Sequence, residues 1–262
     1  MTVPSESQPA SRPSFYARWL SPEGYLGLHL VIGFLVALLA GWIFGGIADW
    51  VFDSPATRAA DRWAQRVAAD GISPGLTAFM RFASFVGTPL VSGLIAVIVG
   101  GVLLRARSHR RLYAFAATMI GGTLLNPALK LVFHRDRPSG FAALGHAAGY
   151  SFPSGHAMGA TLLFGSLAYV IYFTIDHSRR LRLLAVTLCV LMILSIGASR
   201  IYLGVHYLSD VLAGFAAGLC WVAVCLSGTE AWVRWRDWRR KRAAAAQGGQ
   251  GAGGLGGRLP RR

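Results

Sequence analysis

The chain has 262 residues, of which 54% are hydrophobic and only 14% are charged. An ordinary soluble domain carries roughly 25% charged residues, so this composition argues against a soluble globular protein and favours a membrane protein. The formal net charge of +15 would suggest nucleic acid in a soluble protein, but the basic residues lie at the ends of apolar segments, and no nucleic-acid partner is expected.

Charged residues are clustered, and they leave six apolar segments. These segments are Gly27–Ala48, Phe82–Leu104, Leu112–Phe133, Ala157–Ile175, Leu183–Ala198 and Val211–Leu226. Most approach the ~20 residues that a helix needs to cross the hydrocarbon core. The first is too long for a signal-peptide core, so we expect it to be retained. The sequence predicts an all-α polytopic membrane protein with six transmembrane helices.

Three regions follow from this pattern. Residues 1–25 form an N-terminal segment, residues 26–228 form the six-helix membrane domain, and residues 229–262 form a basic, Gly-rich tail. The tail is too polar and Gly-rich to bury a core, and we expect disorder beyond Ala243. Paired small residues inside the spans, such as Gly121-Gly122, Gly159-Ala160 and Ala213-Gly214, are expected to permit close helix packing.

Orientation is predicted from Lys and Arg in the short loops, which are in excess on the cytoplasmic side. The basic segments contain Arg12 and Arg18; Arg105, Arg107, Arg110 and Arg111; Arg179, Arg180 and Arg182; and the residues from Arg234 onward. The other connections are Asp49–Arg81, Lys130–His156 and the one at Arg200. We therefore expect cytoplasmic termini in the inner (plasma) membrane, with the second set of connections on the extracytoplasmic face.

One of these outer connections has its own helical pattern. Ser54–Gly71 begins with Ser-Pro, ends at Gly, and places Trp63 and Val67 four residues apart among Arg and Asp. This pattern predicts an amphipathic helix. It could lie at the membrane interface over a lipid-access path, or it could be a loop helix without a role in substrate binding.

The next outer connection begins with two cations at the end of the third span. Lys130 and Arg137 are seven residues apart, nearly two helical turns, and Pro138 follows. A cation near the bilayer centre is costly, so Lys130 should lie near the surface or face a polar cavity. A phosphate group would explain such a cavity.

The same connection ends with Pro153-Ser154-Gly155-His156, directly before the fourth span. This placement puts Ser154 and Gly155 at a helix N-terminus, where backbone N–H groups and the helix dipole favour an anion. His156 would lie beside that anion in the first turn, in a position to act as a general acid.

The third set of polar residues opens the sixth span. Arg200 precedes it, and His206 and Asp210 lie four residues apart, which on a helix allows the carboxylate to orient the imidazole. An oriented neutral imidazole can attack phosphorus, and Asp210 would stabilise the resulting cation. His206 is therefore the candidate nucleophile.

Together, Lys-x6-Arg-Pro, Pro-Ser-Gly-His and Ser-Arg-x5-His-x3-Asp resemble the three-part signature of the type-2 phosphatidic acid phosphatase superfamily, with all eleven specified positions matched. The resemblance implies a six-helix core over roughly Gly27–Leu226. It further implies roles for eight residues. Phosphate is held by Lys130, Arg137, Ser154, Gly155 and Arg200; His156 protonates the leaving group; His206 attacks; and Asp210 positions it.

Other polar residues nearby have simpler interpretations. Arg135 and Asp136 are expected to form a local charge pair, and His134 and His146 are expected to be solvated rather than functional. Asn126, inside the third span, is expected to bond a neighbouring helix.

The sequence thus predicts a lipid phosphate or diphosphate phosphohydrolase that needs no metal and no cofactor, because three cations and a helix terminus can neutralise the transferred group. Undecaprenyl diphosphate ranks first as substrate, ahead of phosphatidylglycerol phosphate, phosphatidate and lipid A. Alternatives are a lipid phosphotransferase with the same intermediate and a non-catalytic anion-binding membrane protein or transporter. Vanadium-dependent haloperoxidases share the signature, but they are soluble enzymes. The six predicted spans therefore argue against this class.

Overall fold

The structure is a computed structural model that describes residues 22–139, 144–145, 148–174 and 178–252. Every regular element in these ranges is a helix. The helices are α1 (Pro22–Asp53), α2 (Pro55–Asp70), α3 (Pro74–Val86), α4 (Pro89–Arg105), α5 (His109–Phe133), α6 (Gly155–Thr174), α7 (Arg179–Tyr202) and α8 (Leu208–Ala252). The predicted N-terminal segment lies mostly outside the described residues.

Five of these helices, α1, α5, α6, α7 and α8, are individually long and apolar enough to cross a membrane. Helices α3 and α4 pass the same criterion together, as a pair bent by 55°, and provide the sixth candidate span. The predicted all-α fold with six spans is therefore confirmed.

The second span differs from the continuous helix that was predicted over Phe82–Leu104. It starts earlier, at Pro74, and it breaks after Gly87. Thr88 caps the second half by accepting a hydrogen bond from the N–H of Val91, and Pro89 takes the first helical position, where its missing N–H costs nothing. The break follows from this local Gly-Thr-Pro sequence.

Helices α6 and α8 lie at the centre of the bundle, where α8 packs against α1, α5 and α6. Two glycines of α8 permit the close approach to α6. A Cβ at Gly214 would lie 2.7 Å from the carbonyl oxygen of Ser154, and a Cβ at Gly218 would lie 2.7 Å from Cβ of Thr161. The small residues of α8 thus have the predicted packing role. At Gly159, no other part of the described chain comes within 4 Å of the Cβ position.

The two ends of the bundle differ in chemistry. One end carries the end of α5, the start of α6, the end of α7 and the start of α8. These helix ends and the connections next to them hold all the predicted site residues. The opposite end carries the basic loops, and there Arg110 pairs with Glu230 of α8. This segregation agrees with the charge pattern of the sequence; which end faces the cytoplasm stays a prediction.

Helix α8 continues beyond the membrane span as far as Ala252 rather than ending near Ala243. Ala243–Ala246 have the highest intrinsic helix propensity, which favours this extension. Disorder of the tail stays a prediction for residues 253–262, which lie outside the described chain.

Helix α2 forms where the sequence predicted an amphipathic helix. Ser54 caps it by accepting from the N–H of Thr57, and Gly71 follows its last turn. Asp61 and Ala64 face the protein and are buried, whereas Trp63 and Val67 are 58% and 52% exposed. An outward apolar face is what a helix at a bilayer surface presents.

Candidate active site

The predicted nucleophile and its carboxylate partner are in contact. His206 lies in the turn between α7 and α8, and Asp210 lies in the first turn of α8. Nδ1 of His206 is 3.3 Å from Oδ2 of Asp210, and both residues are almost completely buried. An ionised carboxylate only accepts hydrogen bonds, so this contact assigns the proton to Nδ1 and leaves Nε2 unprotonated.

Asp210 has further donors that fix its orientation. The backbone N–H of Tyr207 donates to Oδ2 at 2.9 Å, and the hydroxyl of Ser151 donates to the same oxygen. Ser151 is fully buried, and its Oγ also lies 3.2 Å from Nδ1 of His206. Ser151 was not predicted as a site residue, although it lies within the segment that contains Ser154 and His156.

Arg137 lies on the other side of the imidazole. Its Nη1 is 3.2 Å from Nε2 of His206 and donates to the carbonyl of Val205 at 2.8 Å. Nε and Nη2 donate to the carbonyls of Gly149 and Ala148, at 2.8 and 3.0 Å. The guanidinium is thus held by several main-chain groups with one edge toward His206.

Two further predicted cations are anchored by groups close to this site. Lys130 donates to the carbonyl of Tyr150, which also accepts from Arg137 at 3.3 Å. Arg200, at the end of α7, is buried and donates to the hydroxyl of Ser84 on α3. Ser84 was not predicted, because its partner is 116 residues away in the sequence.

The start of α6 approaches the start of α8 closely. The N–H of Ser154 donates to the main-chain oxygen of Asp210 at 3.0 Å, and Ser154 is fully buried. A Cβ at Gly155 would lie 3.0 Å from Oδ1 of Asn126, whose amide contacts the sulfur of Met158. Asn126 therefore bonds a neighbouring helix, as expected.

His156 lies in the first turn of α6 and interacts electrostatically with Arg200, His206, Arg137 and Lys130. The break in the second span lies against it, because a Cβ at Gly87 would be 3.2 Å from Cδ2 of the imidazole. The structure therefore brings all eight predicted residues to one site.

The prediction that Arg135 pairs with Asp136 is wrong. Nη1 of Arg135 donates to Oδ1 of Asp210 at 2.5 Å, and Nη2 donates to Oδ2 of Asp61 at 2.8 Å. Both carboxylates are almost fully buried, so each gains more from an ion pair than the exposed Asp136 would. His134 is exposed, as expected, and makes an edge contact with the ring of Tyr150; His146 lies outside the described residues.

Burial lowers the pKa of His206 to about 4, although its hydrogen bond to Asp210 and the charge of Asp210 oppose this shift. The imidazole is therefore neutral at neutral pH, which is the form that can act as a nucleophile. Burial also lowers the pKa of Arg137, but an arginine stays charged under these conditions.

The chain is similar to known phosphatases. A family model, that of the PAP2 superfamily, matches residues 111–234. Phosphatidylglycerophosphatase B of Bacillus subtilis is 33% identical over 171 residues, which are 63% of this chain and 80% of that protein. A putative undecaprenyl-diphosphatase of Escherichia coli is 36% identical over 105 residues, which are 38% of this chain and 46% of that protein.

A solved structure is also similar. The crystal structure of a transmembrane PAP2-type phosphatidylglycerolphosphate phosphatase from Bacillus subtilis matches with a TM-score of 0.67 and 26% identity. The match covers 76% of this chain and 96% of the other. The chain belongs to the PAP2 superfamily of membrane lipid phosphatases.

Proposed function

We propose that the protein removes phosphate from a long-chain lipid phosphate or diphosphate through a phosphohistidine on His206. The contact geometry of this imidazole carries the proposal. Nδ1 is tied to Asp210, while Nε2 lies 3.2 Å from the guanidinium of Arg137, the group that would hold the phosphate. The candidate nucleophile thus lies beside a group that can hold the phosphate to be attacked, which supports the proposal.

In the first step, Nε2 of His206 attacks the terminal phosphorus, and the bond from this phosphorus to the leaving oxygen breaks. The leaving oxygen belongs to the alcohol of a lipid phosphate or to the inner phosphate of a lipid diphosphate. His156 starts in its protonated form and gives a proton to that oxygen, and Asp210 stabilises the imidazolium that forms on His206. In the second step, water gives a proton to His156 and attacks the phosphohistidine. Inorganic phosphate leaves, and both histidines return to their starting forms.

Positive groups of this site can neutralise the transferred phosphoryl group. Lys130, Arg137 and Arg200 supply three cations. The Oγ of Ser154 and the Nε of Arg200 are buried and have no hydrogen-bond partner among the described residues. Buried polar atoms normally have a partner, and phosphate oxygens would supply one.

The reaction is expected to need no metal, because these cations can take the electrostatic role that metal ions have in other phosphatases. The buried carboxylates Asp61 and Asp210 are both paired with Arg135. Activity in excess EDTA is therefore part of the proposal.

The site is proposed to lie on the extracytoplasmic face of the inner (plasma) membrane, with both chain termini cytoplasmic. The support is that the basic loops and the site residues lie at opposite ends of the bundle. Substrate would then enter from the outer leaflet of that membrane.

Two substrates have support from relatives. The Bacillus subtilis relative, of which the chain covers 80%, favours phosphatidylglycerol phosphate. The Escherichia coli relative favours undecaprenyl diphosphate, which ranked first from the sequence, but the chain covers only 46% of that protein. The broader coverage makes phosphatidylglycerol phosphate the first substrate to test.

The test is phosphate release by purified protein in detergent, with EDTA, from phosphatidylglycerol phosphate, undecaprenyl diphosphate, phosphatidate and lipid A. His206→Ala is compared with His134→Ala, a change of an exposed histidine outside the site. We expect release by the wild type and by His134→Ala, and none by His206→Ala. Transfer to an added lipid acceptor with little free phosphate would instead support a phosphotransferase, and retention of full activity by His206→Ala would contradict the proposal.

A further inference from the structure

Helix α2 contacts the site through one buried carboxylate. Asp61 is 2% exposed and accepts three hydrogen bonds from two residues. The N–H and the hydroxyl of Ser209 donate to it at 2.9 and 2.7 Å, and Arg135 donates at 2.8 Å. Because Ser209 is in the first turn of α8, Asp61, which belongs to α2, caps the N-terminus of α8. A negative charge is favoured at a helix N-terminus.

Arg135 connects this cap to the predicted nucleophile. One of its nitrogens holds Asp61, and the other holds Oδ1 of Asp210 and the hydroxyl of Ser209, at 2.5 and 2.8 Å. The guanidinium also stacks over the ring of Tyr207 at 4.2 Å, which limits its rotation. The Asp210 oxygen left for His206 is Oδ2, on the side away from Arg135.

We propose that Asp61 is a positioning residue for the catalytic pair His206–Asp210, and thus that α2 belongs to the catalytic apparatus. This inference rests on the proposed function. Asp61 balances the charge of Arg135 and keeps that guanidinium on a single oxygen of Asp210. The other oxygen then stays directed at Nδ1 of His206.

Removal of the Asp61 charge changes this balance in a defined way. An arginine fork prefers to bind a carboxylate through both oxygens. Without Asp61, Arg135 can turn its second nitrogen to Oδ2 of Asp210 and compete with His206 for it. His206 then loses the partner that keeps its proton on Nδ1, and the attacking nitrogen is no longer uniformly unprotonated.

The test uses Asp61→Asn, which preserves the size of the side chain. Asp70→Asn is the matched control, because Asp70 is on the same helix and exposed. Ser209→Ala is a milder second variant for the case in which Asp61→Asn does not fold. Each is purified in detergent with its histidine ring nitrogens labelled with ¹⁵N, and the signal of His206 is assigned by its loss in His206→Gln.

Two readouts are compared. The first is the tautomer of the His206 imidazole at neutral pH. The titratable and charged groups around this imidazole are Asp210, Arg137, Arg200 and His156. The second is kcat and KM for phosphate release. We expect the Nδ1–H tautomer in wild type and Asp70→Asn, a mixture of the two tautomers in Asp61→Asn, and a smaller fraction of the second tautomer in Ser209→Ala. We also expect kcat to be about 10²-fold lower in Asp61→Asn, with KM nearly unchanged.

The tautomer readout does not depend on the substrate, so it separates this inference from the proposed function. An inactive wild type with a tautomer change in Asp61→Asn would contradict the function and support the positioning role. A folded Asp61→Asn variant with the wild-type tautomer and the wild-type kcat would overturn the positioning role. If Asp61→Asn did not fold, a Ser209→Ala variant with the wild-type tautomer and kcat would overturn it.

Discussion

Nε2 of His206 lies 3.2 Å from Nη1 of Arg137, so the imidazole nitrogen proposed to attack phosphorus is adjacent to a cation proposed to bind phosphate. The same guanidinium donates to the carbonyls of Val205, Gly149 and Ala148. Arg137 therefore has both a charge role and a geometric role, and the two can be separated by substitution.

Arg137→Lys keeps the charge but removes the planar fork. We expect kcat/KM to fall about 10²-fold, because a lysine cannot bond several carbonyls and present a fixed edge to phosphate at the same time. The measurement is phosphate release from the preferred lipid. Arg81→Lys, at an exposed arginine of α3, is the control and should retain wild-type activity. Equal activities of the two variants would show that charge alone is sufficient at position 137.

The lowered pKa of His206 has a consequence for stability. Its pKa is about 4 in the folded protein and 6.5 in an ordinary environment, so between these values the unfolded state binds more protons. Stability should therefore fall as the pH decreases from 6.5 to 4, by up to about 3 kcal/mol for this group. Thermal unfolding in detergent at pH 7 and pH 4.5 measures the loss. His206→Gln should lose less stability than wild type; an equal loss in both proteins would contradict the assignment.

Gly87 connects the broken span to the site. A Cβ there would lie 2.5 Å from Cγ2 of Ile196, which is fully buried, and 3.2 Å from the ring of His156. We expect Gly87→Ala to destabilise the protein by about 1–3 kcal/mol and to reduce kcat, because neither neighbour can move without repacking. Activity and melting temperature are measured together.

Gly93→Ala is the matched control for this substitution. Among the described residues, a Cβ at Gly93, which is inside α4, would meet no atom within 4 Å other than its chain neighbours and its own helix backbone. Replacement of a helical glycine by alanine in open space should be neutral or stabilise by up to about 1 kcal/mol. A Gly87→Ala variant that resembled Gly93→Ala in both measurements would show that the contact at Gly87 is not constraining.

The proton-donor role of His156 predicts a dependence on the leaving group. His156→Ala should reduce the rate about 10²–10⁴-fold with a lipid phosphate, whose alkoxide must be protonated as it leaves. With 4-nitrophenyl phosphate, whose leaving group is stable as an anion, the loss should be much smaller. His134→Ala should change neither rate. Equal losses on both substrates would assign His156 a role other than proton donation.

The number of spans could be predicted from the sequence, and so could the positions of the three signature segments at span ends. A long apolar segment is itself sufficient evidence for a membrane-spanning helix. The motif residues lie at span ends, where their spacing along the helix determines which side chains share a face. The Gly-Thr-Pro break at residues 87–89 also had a local signal, a capping threonine before a proline, although the segment was predicted to be continuous.

The supporting contacts could not be predicted in this way. Ser84 meets Arg200 across 116 residues of sequence, and Asp61 meets Ser209 across 148. Such pairings depend on how the helices pack, which neither periodicity nor spacing specifies. Arg135 shows the same limitation, because its neighbour in the sequence is Asp136 but its partners in the fold are the buried carboxylates.

The most direct test of the account is to trap the phosphoryl group on the protein. Wild type is mixed with ³²P-labelled lipid phosphate, stopped within milliseconds by alkali, in which phosphohistidine is stable, and digested for mass spectrometry. We predict label on His206 in wild type, none in His206→Ala, and unchanged labelling in His134→Ala. Rapid phosphate release without labelled His206, or label on another residue, would contradict the proposed mechanism.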